Sequence, residues 1–215
     1  MSIDTTNIPE QIRTLKRRVR EQCPDMKEHF RELESLLAKE ISTIEAANIS
    51  GESVIPEIAF SDITKNRVDN TTIEAVKRRG AVVVRGVFTQ EKASGWYGEL
   101  ESYLDNNGYY EQDNPELDHY FSDLKSDRPQ ICAVYWSKPQ VEARQSPKLA
   151  QARSFLNRLW NYQDNETLHF DPDRECTYVD RVRMRQPGDT SLGLSPHIDG
   201  GSIERWLGDN YQQAY

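Results

Sequence analysis

No stretch of the 215-residue chain approaches the roughly 18 uninterrupted apolar residues of a membrane-spanning helix. The opening run MSIDTTNIPEQIRTLKRR also lacks the apolar core of a secretory leader. A soluble cytoplasmic protein with no membrane partner is the expectation. Cysteine is scarce: Cys23, Cys132 and Cys176 are odd in number and far apart, which gives neither a disulfide framework nor zinc-ligand spacing and suits a reducing compartment. Positive charge does not dominate, since the formal net charge is −8 and the pI about 5.1, so no global field draws in nucleic acid. Apolar residues are few, 36% beside 29% charged. They recur in periodic blocks, however, which points to a folded chain with a thick polar surface and not to disorder.

Those blocks order the chain. Ile12, Leu15 and Val19 fall at helical spacing until Pro24 interrupts, and Phe30, Leu33, Leu36, Leu37, Ile41 and Ile44 mark one face of a longer helix that ends at Gly51. SVIPEIAFSDI (53–63) reads as extended, with Pro56 at an edge position. TTIEAVKRRG (71–80) reads as a helix capped by Thr71 with Glu74 completing a capping box, and Gly80 ending it. AVVVRGVF (81–88) is a buried-strand pattern. A helix over 90–106 follows, with Trp96, Leu100, Tyr103 and Leu104 on one face and Gly108 as its stop. Residues 109–130 are polar, aromatic and aperiodic and read as a long loop whose 109–121 part could border a substrate entrance. ICAVYW (131–136) is a strand candidate, and Ser146-Pro147 opens a helix with Leu149, Phe155, Leu156, Leu159 and Trp160 inward. In TYVDRVRMRQPGD (177–189), Tyr178, Val182 and Met184 share one side of a strand and Arg181, Arg183 and Arg185 the other.

Two H-x-D motifs carry the chemistry. Residues i and i+2 of a strand point to the same side, so an H-x-D at a strand end aims an imidazole and a carboxylate at one point. That is the start of a 2-His-1-carboxylate triad for non-heme Fe(II), three ligands on one octahedral face with three positions open. His169-Phe170-Asp171 runs into Pro172-Asp173, a turn signal. His197-Ile198-Asp199 follows the basic strand and precedes Gly200-Gly201, where backbone can pass close to a ligand. His197 and Asp199 are therefore the preferred metal ligands, the competing reading being a surface His-Asp pair. The row of arginines, Arg183 foremost, is the candidate for binding an anionic co-substrate through bidentate hydrogen bonds, against the alternative of a solvated strand face. Trp206 and Tyr211, after a Ser202 cap, would form a lid or simply pack.

The run YVDRVRMRQPGDTSLGLSPHIDGGSIERW (178–206), with GAVVVRGVF (80–88) upstream, resembles the YbiU-like family, a group with a domain of unknown function regarded as iron(II)/2-oxoglutarate-dependent dioxygenase-like. The likeness extends from the first helices to Tyr215 and is most specific over 181–206. It implies an α+β chain in which a helix-rich N-terminal portion leads into the first strands of a double-stranded β-helix, a jelly-roll or cupin-like barrel. The corresponding division is 1–50 for the N-terminal helices, 51–176 for a mixed α/β portion packing on the barrel, and 177–215 for the start of the β-helix. His197 and Asp199 match the family's H-x-D and would bind Fe(II), with 2-oxoglutarate as co-substrate and an unknown small molecule as substrate.

The chain departs from that pattern at its end. A jelly roll needs about eight strands, and the superfamily places a distal histidine and a basic 2-oxoglutarate anchor downstream of H-x-D, whereas no histidine follows His197. His29, His119 and His169 stand upstream, in the wrong order. The expectation is an N-terminal fragment of a dioxygenase, inactive alone, with open strand edges that leave its last 40 or so residues marginal or paired with another copy. Two alternatives stay open: a non-catalytic protein that binds a partner through its N-terminal helices, and another cupin-like metalloenzyme.

Overall fold

The computed structural model describes residues 7–111, 131–177 and 179–184. They form a helix-rich α+β arrangement with short strands, in two compact units that divide between Pro56 and Glu57.

The first unit is two helices. Helix α1 (Ile8–Gln22) starts where the Asn7 side chain accepts a hydrogen bond from the Glu10 amide, with a proline in its first turn. Helix α2 (Met26–Ser50) ends at Gly51, whose φ of 76° is the left-handed stop that glycine adopts without strain. Neither helix contains a buried residue, and Phe30, Leu36, Leu37 and Ile41 are more than half exposed.

The second unit holds two small cores. Strand β1 (Glu57–Ala59) lies parallel to β2 (Val83–Arg85), with Glu57 opposite Val83 and Ala59 opposite Arg85. Between them run α3 (Phe60–Thr64) and α4 (Asn70–Arg79). Ile58, Phe60, Ile63 and Val76 meet Ala152 of α7 (Pro147–Asn157) in the first core, with Val82, Val84, Phe155 and Leu159 packed against it. On the outer side, the Arg85 guanidinium donates to both Glu57 carboxylate oxygens, at 3.0 and 2.5 Å, and holds that carboxyl below its usual range.

The second core joins α5 (Gln90–Asn106) to the antiparallel pair β3 (Ile131–Cys132) and β6 (Val182–Arg183). Leu104 and Cys132 are sealed from solvent, surrounded by Val134, Val182 and Met184, with Leu100 and Tyr109 at the margin. Helix α6 (Lys138–Arg144) packs on α5, where the Trp96 indole N–H donates to Glu142 at 2.9 Å. The β4 (Gln163–Asp164) and β5 (Thr167–Leu168) pair forms a small hairpin turned by Asn165 at φ 48°.

Several sequence expectations need correction here. Phe60–Thr64 is helical and not extended, because Phe60 and Ile63 reach the same core only at helical spacing. Helix α4 is capped by Asp69 and not Thr71: the carboxylate accepts both the Thr72 amide, at 2.9 Å, and the Thr72 hydroxyl, at 2.8 Å. Its end at Gly80 is as expected, at φ 65°. The 131–136 strand shrinks to two residues, and Trp136 is largely exposed. Trp160 lies beyond α7 and is half exposed, and Tyr103 is nearly so.

Candidate functional site

The preferred metal ligands His197 and Asp199 lie outside the described residues, as do His119, Arg185, Ser202, Trp206, Tyr211 and all but the start of the 109–121 loop. That start is a single 3-10 turn over Tyr109–Glu111. His29 is exposed on α2, its Nδ1 3.5 Å from Glu32.

The approach to the motif is described. In and beside β6, Val182 and Met184 are buried and Arg181 and Arg183 are exposed, the alternation a two-faced strand requires. Arg183 pairs across the ladder with Ile131. Arg181 lies over the Tyr135 ring, 5.8 Å from its centre.

Three arginines on α6, α7 and just beyond fasten residues 173–180 in place. Arg144 bonds Asp180 through Nη1 and donates from Nη2 to the Tyr135 carbonyl at 2.9 Å. Arg153 lies 2.7 Å from Glu175. Arg158 grips Asp173 with two N–H groups, one at 2.8 Å, and the Ser154 hydroxyl donates to the same carboxylate. Arg158 and Ser154 together hold the Asp173 carboxyl down at about 2. Burial pushes the Asp180 carboxyl up, but Arg144, its own backbone and Gln140 outweigh it and bring the group below its usual range. Gln140, itself buried, donates from its amide to the Val134 and Asp180 carbonyls at 2.9 and 3.1 Å, while its oxygen accepts from the Ser137 amide and hydroxyl.

The other H-x-D stands just after the hairpin. The His169 amide donates to the Tyr162 carbonyl at 2.9 Å, and its Nε2 is buried with no hydrogen-bond partner among the described residues. Asp171 is occupied by a turn: its carboxylate accepts from the Asp173 amide at 3.0 Å and its carbonyl from the Arg174 amide at 3.1 Å. Among the described residues no group of three His, Cys, Asp or Glu side chains is placed to hold a metal ion. Cys132 is not a reactive thiol, because burial raises its pKa.

Helix α6 and the arginine fastenings had not been anticipated. The helix carried a readable signal, Ser137 followed three residues later by Gln140 with Pro139 in the first turn. The fastenings had none, since their partners are 15 to 36 residues apart with no periodic relation.

Comparison with known proteins places these features in a group. The Gig2-like family model matches residues 6–215. The "Uncharacterized protein YbiU" of Escherichia coli (strain K12) is 39% identical over 204 residues, covering 95% of this chain and 48% of the relative. A crystal structure described as "Putative Oxidoreductase from Salmonella typhimurium LT2" superimposes with a TM-score of 0.79 at 38% identity, over 99% of this chain and 51% of that one. That of GlcNAc Inducible Gene 2 from Candida albicans gives 0.58 at 28% identity, over 80% of this chain and 34% of that one. The chain thus spans about half the length of the bacterial relatives it matches. No helix among the described residues is long and apolar enough to cross a membrane.

Proposed function

The chain belongs to the Gig2-like family, and from that premise we propose that the complete protein is a non-heme Fe(II)/2-oxoglutarate-dependent dioxygenase that oxidises a small organic substrate. The observation that carries the reading is β6. Val182 and Met184 face the core while Arg181 and Arg183 face away, the two-sided character that a barrel wall has. The Salmonella structure's description as an oxidoreductase supports the same reaction class.

The donor set fits iron in kind and falls short in number. His197 and Asp199 offer one imidazole nitrogen and one carboxylate oxygen, two of the three positions on an octahedral face. In this reading the third ligand, a histidine, and the barrel's remaining strands come from sequence corresponding to the part of the relatives that the chain does not span. The double-stranded β-helix is likewise part of the proposal. Iron, when held, supplies open positions for oxygen and 2-oxoglutarate. The role of this chain in the reading is to supply His197 and Asp199 as ligands and to offer Arg183 to a carboxylate. In this reading the protein works in the cytoplasm.

The test is iron-dependent 2-oxoglutarate consumption in a protein carrying this chain at the length of its relatives. His197→Ala abolishes turnover and iron retention, while His169→Ala keeps most of both. The opposite ranking moves the site to 169–171, and turnover indifferent to 2-oxoglutarate sinks the dioxygenase reading. A second reading, a non-catalytic protein that binds a partner through its N-terminal helices, is favoured by one observation, the exposed apolar face of α2. It predicts that neither histidine variant changes the protein's behaviour toward iron.

A further inference from the structure

Arg144 and Arg153 border a cleft of about 820 Å³ whose walls are α6, α7, Cys176, Thr177 and residues 179–181. Its volume falls in the range of small-molecule sites, roughly 300–1,000 Å³. Tyr135 and Leu149 give it apolar surface, while Arg144, Arg153 and Arg181 bring three guanidinium groups to it from three different elements. Two of these are committed: Arg144 to Asp180, and Arg153 to Glu175. Arg181 has no carboxylate partner among the described residues, so one positive charge in the cleft is uncompensated.

The backbone adds to that imbalance. Cys176, Thr177 and Val179 lie in irregular structure, and among the described residues their amides donate no hydrogen bond. Open amides beside a free guanidinium are donors without acceptors, which is the complement of a carboxylate or phosphate. Arg144 and Arg153 are only 18% and 31% exposed at their side chains and are balanced by Asp180 and Glu175, so the wall behind Arg181 is partly dry and close to neutral, and an anion at Arg181 is held more strongly than in open water.

We propose that this cleft binds a small organic anion, its carboxylate or phosphate taken by the Arg181 guanidinium and the amides of Cys176, Thr177 and Val179, and its carbon body laid against Tyr135 and Leu149. The site uses none of the residues assigned to iron and does not depend on the metal reading. Arg181 lies over the Tyr135 ring, 5.8 Å from its centre, and the edges of a guanidinium fork are what donate to an anion.

The experiment titrates the 215-residue chain with inorganic phosphate, succinate and benzoate by calorimetry and by NMR shift mapping. Saturable binding of at least one, with a dissociation constant of about 1 mM or tighter, is the expected result, and which probe binds identifies the anion class. Arg181→Met weakens that binding at least tenfold with no change in thermal midpoint, and Arg181→Lys restores part of it. Leu149→Trp, which fills the cleft, gives a second loss that does not touch charge. No saturable binding by any probe, or equal affinity in Arg181→Met, overturns the proposal.

Discussion

Among the described residues, the longest helix and two of the shortest strands make an instructive pair. Helix α2 runs for 25 residues with an apolar residue at almost every third or fourth position, yet it buries none of them. Strands β3 and β6 contribute two residues each and, with Leu104, enclose the most deeply buried side chains described. Periodicity marks where an apolar face will form. Whether that face excludes water depends on what lies opposite, which is a property of distant sequence.

Substitutions can break the contrast directly. Leu104→Ala removes a sealed side chain and should cost about 2–5 kcal/mol, read as a lower urea midpoint. Gly80→Ala should cost about 1–2 kcal/mol, because φ is 65° there while a new Cβ would meet nothing within 4 Å, so backbone conformation alone sets the loss. Asp173→Asn gives a smaller effect with a distinctive pH profile. The carboxyl titrates at about 2 in the fold against 3.8 ordinarily, so its contribution is complete above roughly pH 4 and disappears as pH falls toward 2. The difference in urea midpoint between Asp173→Asn and the parent should therefore close across that window, and a difference that persisted at pH 2 would contradict the assignment. Leu37→Ala on α2, already about half exposed, should change stability by less than about 0.5 kcal/mol. A loss comparable to that of Leu104→Ala would mean that the α2 face is covered in solution.

What the sequence disclosed follows the same division. The ends of α4 and α5 were legible because Gly80 and Gly108 are local signals with local causes. The strand ladders were barely legible. Two or three residues of pairing leave no periodic trace, and AVVVRGVF delivered only Val83–Arg85 as strand. The burial of Val182 and Met184 opposite Arg181 and Arg183 was readable, because alternation over four residues survives even where the ladder is short. Of the candidate site, Arg183 falls among the described residues, whereas His197 and Asp199 rest on the motif and the family. The cleft beside Arg181 had no sequence signature, since Arg144, Arg153 and Arg181 come together only through folding.

The three thiols give the second core its own clock. Cys176 is exposed and Cys23 partly so, and both should react with a thiol reagent at once, whereas Cys132 is fully enclosed. Its modification must wait for Leu104, β3 and β6 to separate. The lag between the early thiols and the last therefore times, without any engineered probe, how often the interior beneath β6 opens to water.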